Sequence, residues 1–247
     1  VNQETYRFKH AVIATGSGPR TIDIAGLDEK YILTNQNLFT LTDAPKRLLI
    51  IGGGPIGLEM AEAFARLGTK VTIAERAPEL GRLEDPAIRP ILRRHLESLG
   101  IEIKTGAAID RIEGTTAYFN HMHGDTVEDT FTTPFDNVLI AIGRVPNLPA
   151  GLDVAGIAAT EHGITIDNQH RTTNKYVFAV GDVAQRLKFT HMADDLARQI
   201  VTRVVSRGLV KVKHNKSVPK VTYTSPEVAQ VGLSWGEAKG TYGEEKL

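Results

Sequence analysis

The 247-residue chain contains no cysteine. That excludes a disulfide scaffold, a thiolate metal site and any thiol chemistry by its own residues. It has no surplus of either charge, since 29 Lys and Arg balance 29 Asp and Glu. It therefore lacks the electrostatic footprint that a nucleic acid or an anionic membrane surface would attract. No apolar run approaches the ~20 residues of a membrane-spanning helix. The opening VNQETYRFKH has neither the charged-then-apolar order of a signal peptide nor an initiator Met. The expectation is a cytoplasmic protein that has been processed, truncated or excised. No G-x-S-x-G elbow and no paired catalytic carboxylates are present, so acid–base or covalent catalysis by this chain is not expected.

What the sequence does contain is strands alternating with helices. Residues 5–16, TYRFKHAVIATG, read as a strand pair ending in the apolar run Ala11–Ala14, and YILT reads as another short strand. RLLIIG is a continuous apolar run, as a parallel strand buried on both faces requires. After Pro55, apolar residues at Ile56, Met60, Ala63, Phe64 and Leu67 keep helical spacing, and Gly68 is placed to stop the helix. KVTIAE is the next strand. A second helix is expected from an N-cap at Asp85, with Pro86 in its first position and Ile88, Ile91, Leu92, Leu96 and Leu99 on its apolar face. IEIKTG follows as a strand. From Ala108 to Phe131 the period drops to two around Gly114 and the turn His123-Gly124-Asp125, which predicts an antiparallel meander. NVLIAIG, GITID and YVFAVGD are further strands, and a helix is expected over about 191–206. The alternation argues for α/β architecture with parallel sheets.

Between RLLIIG and the first helix lies GGGPIG, in which Gly52, Gly54 and Gly57 form G-x-G-x-x-G. On its own this motif is weak, but here a strand precedes it and a helix follows. The first glycine permits the tight turn, the second lets backbone approach a pyrophosphate and the third lets helix and strand pack closely. Pro55 and Ile56 open the helix, whose N-terminal N–H groups and positive dipole end suit phosphate. Glu75 ends the next strand about twenty residues on, where a carboxylate accepts from the adenosine ribose hydroxyls. An anion there disfavours a 2′-phosphate, so NAD(H) is expected over NADP(H). Arg76 and Arg82 weigh the other way, since arginine suits a 2′-phosphate.

With ATGS, GGGPIGLE, AIGRVPN and VFAVGDVA in this order, the chain resembles the flavin-dependent pyridine nucleotide-disulfide oxidoreductases. That family includes lipoamide dehydrogenase, glutathione reductase and mercuric reductase. The resemblance spans nearly the whole chain. It implies a Rossmann-like NAD-binding domain at 45–147 inserted in an incomplete FAD-binding domain at 1–44 and 148–219, with a dimerisation domain beginning at 220–247. It also implies roles for individual residues. Asp182, after Gly181, would bond the ribityl chain of FAD, and Thr15 and Gly16 would end a strand beside the same cofactor. His191, Met192 and Ala193 would open a helix whose N-terminus faces the flavin. Gly143 and Arg144 would line the nicotinamide side of the NAD cleft. Glu59 resembles the carboxylate that the family pairs with a lysine near the flavin, a lysine from a segment outside this chain.

The resemblance implies that NADH passes a hydride to FAD and thence to a disulfide or another acceptor, in an enzyme that is a homodimer when complete. The tail TYTSPEVAQVGLSWGEA favours the disulfide-reductase branch, and KFTHMADDLARQIV leans towards mercuric-reductase-like members. An alternative of another class is a non-catalytic dinucleotide-binding module. His121 and His123, two apart in an expected hairpin without a carboxylate-rich partner, are read as a solvated turn rather than a metal site. The chain itself is expected to lack tight FAD, because no second glycine loop precedes the first strand. A yellow preparation with flavin absorbance near one per chain would overturn this.

Overall fold

A computed structural model describes residues 5–124, 126–185, 187–213 and 217–246. The expected turn residue Asp125 lies outside them. The chain divides into two compact units, one joining Arg144–Val218 to the segment up to Gly18, the other joining Pro19–Gly143 to the segment from Pro219 on.

The second unit is built on a five-stranded parallel sheet, ordered Ile32–Leu33, Asn137–Ile140, Arg47–Ile51, Lys70–Glu75, Glu102–Thr105. The YILT strand thus joins this sheet at its edge, so the boundary expected at 44/45 falls inside one compact unit. The side chains of Arg47–Ile51 alternate between two cores. Leu48 and Ile50 pack towards Leu58, Phe64, Leu92 and Leu96 of the helices, whereas Leu49 and Ile51 pack towards Ala117, Phe119 and Phe135. A strand buried on both faces gives the unbroken apolar run seen in the sequence. The result is three layers: helices, parallel sheet, and an antiparallel meander of Ala107–Glu113, Thr116–His123 and Thr126–Pro134.

Helix α1 (Pro55–Arg66) buries Leu58, Ala61 and Phe64, while Leu67 is 70% exposed at its C-cap. Helix α2 (Arg89–Ser98) begins four residues after the expected cap. The Asp85 carboxylate is occupied by the Ala87 and Trp235 N–H groups, at 3.0 Å each, and residues 86–88 form a turn. Leu92 and Leu96 carry the α2 core face, and Ile91, one step round the helix from Leu92, is exposed. Arg20 N–H donates to the Gly143 carbonyl at 2.9 Å, so the two ends of the Pro19–Gly143 stretch meet.

In the other unit Ala11–Ile13 pairs in parallel with Val177–Ala179, and residues 5–10 form no strand, so the expected strand pair is a single short one. Val177 and Ala179 face one apolar cluster, while Phe178 and Val180 face helix α3 (Thr190–Val205) through Leu196 and Ile200. The tail forms a hairpin of Pro219–Thr222 and Val228–Val231, then helix α4 (Trp235–Tyr242), closed by a Ser234–Glu237 capping box.

Candidate functional site

Gly52, Gly54, Pro55 and Ile56 lie where strand Arg47–Ile51 meets α1, and each lines a groove of about 1280 Å³. Glu75, Arg76, Arg82 and Gly143 line the same groove. Gly52 has φ +113°, a conformation costly for any residue with a Cβ, and a Cβ there would lie 2.5 Å from the Ala141 carbonyl oxygen. Gly57 does not line the groove. A Cβ on it would lie 2.0 Å from the Gly52 carbonyl oxygen, so this glycine sets how closely α1 approaches the strand. A Cβ on Gly54 would meet nothing within 4 Å. The backbone here faces open space, and no side chain caps α1. The first-turn N–H groups of a helix have no intrahelical acceptor and are available to an anion. A dinucleotide pyrophosphate fits such a cradle.

Glu75 holds this loop in shape. Its Oε2 accepts from Gly53 N–H at 2.6 Å and its Oε1 from Ala77 N–H at 2.7 Å. Gly53 is a residue that motif matching passes over, because the variable position of G-x-G carries no constraint. A Cβ on Gly53 would meet Leu80 Cδ2 at 2.4 Å and Glu75 Oε2 at 3.2 Å. A third consecutive glycine was the only signal available.

Glu59, on α1, accepts from Tyr223 N–H at 2.9 Å. One turn along, Glu62 is buried and gathers three donors: the Arg66 guanidinium at 2.7 Å, His95 Nε2 at 3.2 Å and Ser225 N–H at 3.0 Å. Burial pushes its carboxyl up, but the Ser225, Arg66 and His95 hydrogen bonds together outweigh burial and hold it below the ordinary glutamate value. A buried glutamate in an otherwise apolar helix face was the sequence signal for this cluster, and the apolar periodicity concealed it.

The other unit brings Arg144 and Asp182 together through Ser17. Ser17 Oγ donates to Asp182 Oδ2 at 2.6 Å, while Arg144 donates through Nε to Ser17 Oγ at 2.7 Å and reaches the Ser17 carbonyl. Arg144 Nε lies 3.5 Å from Asp182 Oδ2. Arg144 is therefore seated on Ser17 and Asp182, while its neighbour Gly143 lines the nucleotide groove. Thr15 and Gly16 are bonded to Asn147: Thr15 Oγ1 donates to its carbonyl at 2.6 Å and Gly16 accepts its N–H at 2.9 Å. Gly181 precedes Asp182 and sits against the first turn of α3, where its Cβ would be 3.4 Å from that of Ala193. Met192 is half-buried, and exposed His191 stacks on Phe189 with ring centroids 5.4 Å apart. No side chain caps α3. A carboxylate acceptor for a polyhydroxyl chain, beside the N–H donors of an uncapped helix start that suit an anionic ring, fits a flavin cofactor.

His121 and His123 do have a carboxylate neighbour. Glu128 lies in the irregular register of its strand, with one oxygen 3.7 Å from each Nδ1. Among the described residues no group of three or more His, Asp or Glu is arranged to hold a metal ion. No helix among them is long and apolar enough to cross a membrane.

A parallel sheet with a glycine turn feeding a helix start, and a carboxylate at the end of the next strand, defines a Rossmann-like dinucleotide-binding protein. The chain belongs to the pyridine nucleotide-disulphide oxidoreductase family, whose model matches residues 1–197. It is 34% identical to dihydrolipoyl dehydrogenase of Bacillus subtilis over 99% of its own length and 53% of that protein. It is 34% identical to mercuric reductase of Bacillus cereus over 97% of its length and 38% of that protein. Among solved structures it resembles the Cu(II) complex of the HOCl-induced flavoprotein disulfide reductase RclA of Escherichia coli, with a TM-score of 0.83 and 28% identity. That match covers 95% of this chain and 53% of the other. The chain thus spans about half the length of the relatives it matches. The family uses a flavin and a pyridine nucleotide, which places the chain among oxidoreductases.

Proposed function

We propose that the Pro19–Gly143 unit is the NAD(H)-binding part of a flavin-dependent disulfide oxidoreductase, and that the unit containing Asp182 contributes to its FAD site. The observation that carries this reading is the glycine cradle, with Gly54 open to the groove and Glu75 bonded beneath it. When both cofactors are bound, the pyridine nucleotide supplies a hydride and the flavin accepts it, and a disulfide or another acceptor is the final destination. The chain's own residues bind and orient. The start of α1 holds the pyrophosphate, Glu75 accepts from the adenosine ribose, and Gly143 lines the groove. Asp182, Thr15–Gly16 and the start of α3, His191 to Ala193, hold the flavin. Glu59 in this reading stands close to the reacting centre of the complete enzyme. In this reading residues 220–247 begin a dimerisation domain, and the complete enzyme is a cytoplasmic homodimer.

NADH is the preferred nucleotide in this reading, because the Glu75 carboxylate repels a 2′-phosphate even with Arg76 and Arg82 in the groove. Titration of the chain with NADH and NADPH, following nicotinamide fluorescence, tests it. Glu75→Ala is expected to weaken NADH about tenfold and NADPH much less, the equivalent of losing one charge-assisted hydrogen bond. Both nucleotides lose some affinity as the Gly53 and Ala77 N–H groups lose their acceptor. The selectivity ratio is therefore the readout, and equal losses would sink the assignment.

A further inference from the structure

The nucleotide groove has a wall that the glycine loop does not supply. Residues 78–85 form bends and turns between Lys70–Glu75 and α2, and Glu79, Arg82 and Leu83 among them line the groove. This loop is joined to the phosphate cradle itself. Gly81 N–H donates to the Gly53 carbonyl at 3.0 Å, and buried Leu80 fills the space that a Cβ on Gly53 would need. The loop has no ladder or helix of its own, and beyond one turn bond from Glu84 N–H to the Gly81 carbonyl at 2.7 Å it is positioned by partners outside it. Arg89 supplies some, bonding the Glu79 carboxylate and the carbonyls of Glu84 and Arg82.

Residues 87–89 supply others through Asp85, and a further set comes from beyond residue 218. Lys220 Nζ donates to the Leu83 carbonyl at 2.8 Å. Thr222 Oγ1 donates to Glu84 Oε1 at 2.7 Å, with Thr222 only 1% and Glu84 6% exposed. A buried carboxylate stripped of its partner is strongly disfavoured, so this bond fixes where Glu84 can sit. Tyr223 N–H and Ser225 N–H then dock on Glu59 and Glu62 of α1, so the same strand end is tied to the helix that opens at the cradle. Neither Lys220 nor Thr222 lines the groove.

We propose that Thr222 and Lys220 are positioning residues for the nucleotide pocket, holding the Leu80–Asp85 loop against Gly53 so that the groove is formed before a nucleotide arrives. The proposal rests on the reading of the groove as an NAD(H) site. Its physical content is preorganisation: a loop already in place spares the nucleotide the ordering free energy that would otherwise weaken binding. The segment that begins the hairpin is then part of the cofactor site without touching the cofactor.

The test titrates NADH and 5′-AMP into the full chain and into Thr222→Val, Thr222→Ser and Lys220→Met. Thr222→Val is expected to weaken both nucleotides about tenfold, Thr222→Ser to restore them to within about twofold, and Lys220→Met to weaken them about threefold. Trypsin supplies a readout that a purely structural role would not move. Cleavage after Arg82 should accelerate selectively in the weakened variants and return to the wild-type rate at saturating NADH. A wild-type chain that binds neither nucleotide would overturn the reading of the groove. Wild-type binding together with unchanged affinity and unchanged Arg82 cleavage in Thr222→Val and Lys220→Met would overturn the positioning role alone. If Thr222→Val fails to fold, Lys220→Met decides, because Lys220 is only half-buried whereas Thr222 is buried.

Discussion

Gly57→Ala is expected to reduce NADH affinity by about a hundredfold or more and to lower the melting temperature, because overpacking a close backbone contact costs ~1–3 kcal/mol or more. The added Cβ would sit 2.0 Å from the Gly52 carbonyl oxygen. That atom is backbone and cannot swing aside, and Ile50 Cγ2 at 3.4 Å closes another direction. Helix α1 must therefore move off the sheet, and its N-terminal N–H groups move with it. Gly54→Ala is the informative companion. Its new methyl meets nothing within 4 Å, so the fold should melt as wild type while the methyl narrows the approach to the cradle. Thermal melts beside NADH titrations separate the two effects. A Gly57→Ala chain that binds NADH like wild type would show that close helix–strand approach is not what the third glycine provides.

Glu62→Ala is expected to destabilise the chain by on the order of 2–3 kcal/mol, since it removes a buried carboxylate and leaves several donors without their acceptor. The affected donors are the Ser225 N–H, Arg66 and His95, so α1, α2 and the hairpin segment all loosen. The same carboxylate predicts an acid dependence. Its folded-state pKa lies below the unfolded value near 4.5. Its contribution is therefore complete above that value and is lost as pH falls through the lower, folded one. Glu62→Gln keeps the shape and an acceptor for Ser225 but cannot be ionised, so its stability should fall less steeply in acid than wild type. Denaturant midpoints between about pH 3 and 7 would show this. Parallel slopes for the two proteins would remove Glu62 from the account.

The parallel sheet and the glycine loop were legible because their signals are local. An apolar run, a glycine triplet with fixed spacing and a helical repeat each lie within a few consecutive residues. Elements whose placement depends on distant partners were harder to read. Asp85 caps the turn at 86–88 that leads into α2, its Oδ1 accepting from Ala87 N–H, while its Oδ2 takes Trp235 N–H, and no local rule foresees a partner from the tail. The exposed Ala63, Leu67 and Ile91 show that counting apolar residues at helical spacing overstates the buried face. Ser17 was hidden inside ATGS for a similar reason. Its role lies in the bridge between Arg144 and Asp182, residues 127 and 165 positions away. The Glu128 carboxylate between His121 and His123 depends on an irregularity of strand register that a strict period of two does not anticipate.

The hydrogen bond from Arg20 N–H to the Gly143 carbonyl has a consequence for the chain as a polymer. A long stretch placed between two parts of another unit normally sets them apart by the entropy of a large loop. Here the two ends of the stretch meet, so once Pro19–Gly143 has folded, Gly18 and Arg144 are delivered side by side as if a tight turn joined them. To the host unit, more than a hundred intervening residues behave as a hairpin.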